Sequence, residues 1–451
     1  MGNAESAAVQ RRLDRFRPEE RPAVEGLFEK LLRSSAPAAP PDKAAKTLSV
    51  DALRTCAGSM ASGSMVERMF EGMRRIDPGV ALPSCGGVSR EQLVIFLADA
   101  LRGTAQERAP LVMSMVQRGA EDSVVTLDQI KEFLEDLVSS VVQILTHRGC
   151  LRGWRPDRMG DTSQGVKLLA EQLSSEVRAS AQQTCDVSGL EDWLFRVSGV
   201  ALYLEMLVGE SLSVQLTSRP PPTLLPECRD APWGQAQCLL DLPLLLFLSP
   251  QLPEGIKAPW RLLFSTQVHG ESFTRLVGCC KSRGPTLLLL RDTKGHVFGG
   301  FASQSWETKP QFQGDSRCFL FSVFPTLRVY TCTGYNQHYM YLNQGQQTMP
   351  NGLGMGGQHN YFGLWLDSDF GRGHSRGRPR CTTYGSPQLS GEEDFRLDAM
   401  EVWAVGQPPE ELQDENKRSI LDVDKEAQAI MEMTGKTLHS QGLREPEEDE
   451  Q

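Results

Sequence analysis

Gly352, Gly354 and Gly357 satisfy the G-x-G-x-x-G spacing that lets a backbone approach a pyrophosphate. A dinucleotide site needs a strand before such a run and a helix after it. Here the following residues alternate instead, with Phe362, Leu364 and Leu366 on one side and Tyr361, Gly363 and Trp365 on the other. That period of two predicts a tight glycine turn feeding a half-buried strand. Gly435-Lys436-Thr437 ends like a phosphate loop, but Ile430 stands where its first glycine is required. The seven histidines show no metal-ligand spacing, and no cysteine lies beside one at zinc spacing. His269, His359 and Asp367 are read as structural, and Ser265 and Ser305 lack the G-x-S-x-G elbow. The eleven cysteines contain no C-x-x-C pair, and adjacent Cys279 and Cys280 are read as core filling. The sequence therefore assigns no catalytic residue, no metal ligand and no cofactor.

A different chemistry is written at the N-terminus. Met1-Gly2-Asn3-Ala4-Glu5-Ser6 fits M-G-x-x-x-[ST], which places an unhindered α-amine on Gly2 for N-myristoylation once Met1 is removed. One such chain binds a bilayer only marginally, at roughly 10⁴ M⁻¹. Arg11, Arg12, Arg15 and Arg17 are a candidate second, electrostatic signal, weakened by Glu19 and Glu20. Two further surfaces suit binding. Gly371–Arg380 holds Arg372, Arg376, Arg378 and Arg380 without an acid, a set fitted to carboxylates or phosphates on a partner. Residues 410–434 place Ile420, Val423, Ala427, Ile430 and Met431 on one helical face, which either folds back on its own domain or enters a partner's groove.

The elements that position these residues fall into two textures. Helical stripes dominate the first half: Glu19–Arg33, then helices opened by the capping boxes Ser64/Glu67, Ser89/Gln92 and Thr126/Gln129. Val166–Val177 and Gly189–Val208 are also helical, the latter with Trp193, Leu194, Val197 and Val200 on one side. From Leu239 onward short strands and glycine turns take over, among them Thr286–Leu290, a turn at Asp292–Gly295, Cys318–Phe324 and Leu397–Val405. Many short strands with few helices predict a β-sandwich. A formal charge of −10 argues against general nucleic-acid binding. The absence of a leader in Met1–Arg12 and the unpaired cysteine usage predict a reduced, cytosolic environment. The most apolar run, Leu239–Leu248, is too short to span a bilayer and contains Pro243.

Two resemblances add to this reading. The helix–loop–Val-Ser/Thr–helix layout, seen at Val88 and Val125, resembles a pair of EF-hands. Aligned so, the bidentate glutamate position holds Gln92 and Gln129 and the first ligand positions hold Ala81 and Arg118, so calcium binding is not expected although Gly86 keeps the turn. The segments HVFGGFASQSWE, FLFS, NGLGMGGQHNYFGLWLD and MEVWAVG, in this order across about 239–406, resemble the TLDc domain of oxidation-resistance proteins. Glu71–Arg75 and Arg152–Arg155 extend the likeness upstream. The resemblance implies an α+β multidomain chain, with an N-terminal all-α EF-hand-like domain followed by a TLDc β-sandwich flanked by helices, and a C-terminal helix. The divisions are 1–45 (myristoylated segment and linker), 46–150 (EF-hand-like), 151–238 (helical connection), 239–406 (TLDc) and 407–451 (amphipathic helix and acidic tail). It also implies myristoylation at Gly2, the cytosolic face of the lysosomal membrane, a role in mTOR and nutrient signalling, and binding to the vacuolar proton-pumping ATPase (V-ATPase). The expected function is a non-enzymatic adaptor. The alternatives are a cysteine-dependent enzyme of oxidative-stress protection and a calcium sensor.

Overall fold

The computed structural model describes residues 7–34 and 47–406, apart from 78, 80–85, 118–122, 215, 218, 219 and 254–256. Its first half is helical: α1 (Ala7–Leu13), α2 (Arg21–Ser34), α3 (Val50–Ala57), α4 (Gly63–Arg74), α5 (Arg90–Arg102), α6 (Ala105–Gln117), α7 (Leu127–His147), α8 (Thr162–Ser175), α9 (Val187–Arg196) and α10 (Ser198–Ser211). The predicted stripe of α7 is buried throughout, and the capping boxes of α5 and α7 form as expected. The cap of α4 is Ser62, whose side chain accepts from Met65 N; Ser64 instead donates to Asp136. The single helix expected over 189–208 breaks at Val197, whose backbone leaves the helical region between α9 and α10.

The helix–loop–bridge–helix unit occurs four times, not twice. Leu48 pairs with Val88 in an isolated antiparallel bridge. β1 (Val124–Thr126) pairs with β2 (Thr184–Asp186), setting Val125 opposite Cys185. Thus Val88 and Val125 belong to different pairs, and residues 151–238, read as a connection, contain the fourth unit. The units at Leu48 and Cys185 are capped by Ser49 and Asp186, but their third helical positions are Ala52 and Gly189. Neither can return the reciprocal bond of a capping box, so the sequence signal is half as strong.

The second half opens with β3 (Cys228–Arg229) and α11 (Leu242–Leu248). The apolar run predicted to begin the strands is therefore a helix: Asp241 caps it through Leu244 N at 2.9 Å and Pro243 sits in its first turn. Then follow β4 (Trp260–Ser265), α12 (Thr266–His269), α13 (Phe273–Cys280), β5 (Thr286–Asp292), β6 (Val297–Ala302), β7 (Lys309–Gln313), β8 (Phe319–Phe324) and β9 (Arg328–Thr331). β10 (Met340–Asn343), β11 (Gly352–Gln358), β12 (Tyr361–Asp367), β13 (Arg372–His374) and β14 (Asp394–Ala404) complete the set. They form one curled sheet in the order β7-β10-β11-β12-β13-β14-β5-β6-β8-β9, with β4 joining β14 and β3 at one side. All pairs are antiparallel except β3 with β4. β14 pairs with β13 through its first residues and with β5 and β4 through its last, so the sheet turns on itself and closes two layers over one core. Leu288, Leu290, Phe298, Leu320, Met355, Leu364 and Met400 fill that interior.

The other face of β5 and β6 packs on the helices. Leu287, Leu289, Phe301, Phe319 and Trp403 belong to the same buried cluster as α5, α7, α8 and α11. Trp154 stands at this junction, with Trp403, Trp260 and Trp233 around it at 5.2, 5.7 and 6.0 Å between ring centres. Its indole N–H donates to Pro226 O at 2.9 Å.

Inside the helical half, Arg68 is 1% exposed and joins three helices. Its guanidinium donates to Asp136 at 2.7 Å and to the carbonyls of Met115 and Val116, above the Phe133 ring. Removing one partner of a buried charge pair leaves the other uncompensated, which costs about 3–5 kcal/mol. Arg68→Ala is therefore expected to destabilise the chain by about that amount in urea unfolding; a change under about 1 kcal/mol would show that the pair is dispensable.

Candidate partner-binding surface

The glycine run lies on β11, and the turn is His359-Asn360, with Asn360 at φ +61°. The helix that a dinucleotide site requires is replaced by β12, antiparallel to β11. Glycine is needed at 354 for a packing reason: a Cβ there would lie 2.7 Å from Phe362 and 2.8 Å from Trp365. Those two rings stack at 4.4 Å above it. Phe362 thus shares the outer face with Trp365 rather than the inner one with Leu364 and Leu366; the alternation breaks where Gly356 and Gly357, at φ +73° and +81°, interrupt the facing strand.

Around this pair an aromatic and histidine cluster packs on the outer side of β7, β10, β12 and β13, with Tyr341, Phe362 and Trp365 buried and Phe312 partly buried against them. Phe312 stacks on His338 at 4.0 Å and on His359 at 5.0 Å. Tyr341 stands between His359 and Phe362. Trp365 Nε1 donates to Asp367 at 2.7 Å, and His374 lies 5.9 Å from the Trp365 ring. A cleft of about 350 Å³ opens between Asn351, Asn360, Trp365, Asp367, His374 and Arg376. No sequence spacing announces this layer, since its members are drawn from residues 312 to 374. Their shared face is set by register.

The basic segment borders the cleft. Arg372 lies on β13 and is exposed, as are Arg378 and Arg380. Arg376 acts as a strut, with Glu393 at 3.2 Å, Asp394 at 3.0 Å and the carbonyl of Asn360 as its partners. Glu393 also takes Arg378 at 3.2 Å. Arg376 and Arg378 are free of acids in sequence but not in space, because Glu393 and Asp394 at the start of β14 lie beside them. Arg372 and Arg380 are the residues best placed to meet a partner.

The N-terminal arginines are similarly engaged. Arg12 and Arg15 bond to Asp99 of α5, and Arg15 also to Glu107 of α6, while Arg17 meets Glu19 and Arg21 meets Asp14. Only part of the expected electrostatic signal therefore faces outward. Gly2 lies outside the described residues, as do Ala81, Arg118, Ile420, Val423, Ala427, Ile430, Met431 and the Gly435-Lys436-Thr437 stretch.

Gln92 and Gln129 hold the places of the EF-hand glutamates. Their side-chain oxygens accept from Ser89 N and Thr126 N, and Gln92 Nε2 donates to the carbonyls of Arg74 and Ile76 at 2.8 and 3.0 Å. An amide thus ties the two ends of the loop together with hydrogen bonds, where a carboxylate would need a cation. Among the described residues no group of three or more His, Cys, Asp or Glu is arranged to hold a metal ion.

The other candidates are dispersed. His269 Nδ1 accepts from Ser265 N at 3.1 Å and its ring stacks on Phe264. Burial, with His338 nearby, pushes the pKa of His359 down, and Asp367 serves Trp365. Burial pushes the thiols of Cys238, Cys280, Cys318 and Cys381 up, Cys185 to about 11 and Cys228 to about 12. These are poor thiolates at neutral pH.

A profile of the TLDc domain matches residues 234–406, the region of the curled sheet with α11. MTOR-associated protein MEAK7 of Danio rerio is 68% identical over 453 residues that cover the whole of both chains. The chain belongs to the MEAK7 family of TLDc proteins. The human MEAK7 protein is 45% identical, again over the full length of both. Oxidation resistance protein 1 of Bos taurus is 36% identical over 155 residues, 34% of this chain and 16% of its own. Kinship with the MEAK7 proteins thus includes the helical half, whereas the likeness to oxidation-resistance proteins is confined to a third of the chain.

His374 provides a test of the surface layer. Its Nε2 accepts from Phe362 N at 3.3 Å, which requires a neutral ring, and burial followed by Arg376 lowers its pKa to about 4, with Asp394 opposing. A pKa depressed below the unfolded value near 6.5 means that the unfolded chain binds the proton first as pH falls. The stabilisation is complete above pH 6.5 and is lost as pH drops towards 4. Urea midpoints measured from pH 7.5 to 4.5 are expected to fall more steeply for the wild type than for His374→Gln; parallel curves would contradict this role.

Proposed function

We propose that the chain is a non-enzymatic adaptor in mTOR-linked nutrient signalling, held at the cytosolic face of the lysosomal membrane by N-myristoyl Gly2. Its TLDc body and C-terminal helical segment bind the cytosolic part of the V-ATPase. The observation that carries this reading is full-length identity to proteins named MTOR-associated, at 68% and 45%, in a chain whose second half is a TLDc domain. The surface chemistry supports it. The exposed Arg372 and Arg380, held on a rigid sheet whose outer side is packed by the buried Tyr341, Phe362 and Trp365, are suited to carboxylates on a protein partner, since arginine concentrates binding energy at interfaces. The engaged state of Arg12 and Arg15 leaves the lipid chain with limited electrostatic help. Membrane residence then depends on a protein contact as the second signal.

A cysteine-dependent enzyme receives less support. Such chemistry needs an accessible thiol of low pKa, and burial moves Cys238, Cys280, Cys318 and Cys381 the other way.

The test is fractionation of cells expressing wild type, Gly2→Ala, a chain ending at Gly406, and Arg372→Glu/Arg380→Glu, probed for lysosomal markers and pump subunits. Pump subunits are expected to co-purify with the wild type, weakly with the truncated and charge-reversed chains, and Gly2→Ala is expected to lose membrane association. Recovery of no pump subunit with the wild type would overturn the assignment.

A further inference from the structure

Residues 7–17 combine two chemistries on one short helix and its exit. Val9 and Leu13 of α1, with Phe16 just beyond its end, form an apolar stripe buried along α5. Arg11, Arg12, Arg15 and Arg17 flank or oppose that stripe, with Asp14 as the one acid among them. An apolar stripe bordered by arginines suits the boundary between headgroups and acyl chains of an anionic bilayer. Arg11 and Arg17 are exposed, whereas Arg12 and Arg15 are half-buried.

In the folded chain this segment sits in an acidic socket. Arg12 donates to Asp99 of α5 through Nε at 3.3 Å and Nη2 at 3.4 Å, and Arg15 Nη1 donates to the same carboxylate at 3.1 Å. Arg15 also meets Glu107, which accepts from Thr104 N at 2.9 Å where α6 begins. Two guanidiniums thus share one buried carboxylate and a second that is already a capping group. Desolvation offsets much of what a buried ion pair gains. Burial of Asp99 outweighs Arg12 and Arg15 and raises its pKa. The seat is also incompletely filled, since a cavity of about 340 Å³ is lined by Arg12, Ile95, Asp99, Glu107 and Leu111. A gap there forfeits dispersion contacts that would hold the segment in place. Behind the segment, Pro18 interrupts the helix, and Glu20, 1% exposed, accepts from Arg102 at 3.4 Å, which pins the start of α2 to α5.

We infer that residues 7–17 are a latch with two alternative seats: the Asp99/Glu107 socket in the free chain, and an anionic phospholipid surface that competes for the same arginines. Lipid phosphates and carboxylates offer Arg12 and Arg15 the same charge-assisted bonds, and Arg11 and Arg17 add to them at the bilayer. The stripe exchanges the helical core for the acyl boundary, while Asp99 and Glu107 pass to water. Closed, the latch gives a lipid on Gly2 the limited help described above. Open, it supplies a second signal beside that lipid, with the shift set by the difference in affinity between the two seats. The latch rests on the proposed anchoring for its place in the cell, and its test uses the unacylated chain so that the two fail separately.

The test sediments the unacylated full chain with vesicles of phosphatidylcholine, with and without phosphatidylserine. Asp99→Asn/Glu107→Gln, which weakens the socket, is expected to bind the phosphatidylserine vesicles several-fold more tightly than the wild type. Adding Arg12→Gln/Arg15→Gln is expected to abolish that gain. In solution, hydrogen exchange of a peptide covering 7–17 is expected to rise several-fold in Asp99→Asn/Glu107→Gln, with the peptide covering 127–147 unchanged as the sign that the body remains folded. Equal vesicle binding by that variant and the wild type would overturn the inference. So would binding that is as strong without phosphatidylserine, or a gain that survives the loss of Arg12 and Arg15 and so belongs to another surface. Any of these results leaves co-purification of pump subunits with the acylated chain to be decided by its own experiment.

Discussion

A sheet with two apolar faces has to be buried twice, and the architecture of this chain follows from that requirement. Alternate residues of β5 point opposite ways: Leu288 and Leu290 enter the interior of the curled sheet, whereas Leu287 and Leu289 join the cluster of the helices. The curl satisfies the first set and the helical layer the second. Trp403, near the end of the strand that pairs with β13, β5 and β4, packs against Trp154 and Trp260 at the junction. Glu401, two residues earlier, is 2% exposed and accepts from Leu239 N and Trp403 Nε1, both at 2.9 Å. Burial raises its pKa to about 7, and Asp241, the cap of α11, is raised to about 7 for the same reason. Two carboxyls thus fasten the segment entering the TLDc region, at the cost of desolvation.

Much of this was legible from residue order alone, for identifiable reasons. α5 and α7 have complete capping boxes and long stripes, so local propensity and tertiary packing agree. Thr286–Leu290 is apolar without alternation because it is covered on both sides. The failures are equally specific. Leu242–Leu248 is too short for period to separate helix from strand, and the deciding features were Asp241 and Pro243. The units around Leu48 and Cys185 lack a glutamine three residues after the cap, and α3 is only eight residues long. The outward turn of Phe362 accompanies the positive-φ pair Gly356 and Gly357 across the hairpin, which no reading of one strand contains.

The candidate surface was legible in charge but not in form. The arginines of 372–380 were visible as a cluster, yet the acids that neutralise Arg376 arrive from β14. The aromatic layer combines residues from four strands and two turns, so it exists only once register is fixed. Within the described residues His269 accepts from Ser265 N, Asp367 accepts from Trp365, and burial raises the thiols of Cys238, Cys280, Cys318 and Cys381.

The central claim is that helices and curled sheet share one continuous core and so form a single body. Thermal or urea unfolding of the full chain, followed together by tryptophan fluorescence and far-ultraviolet circular dichroism, tests it most directly. The tryptophans at the junction report the shared core and the dichroism reports the helices. One coincident transition in both signals is the predicted result. Loss of the tryptophan signal in a separate, earlier transition with helicity intact would contradict it.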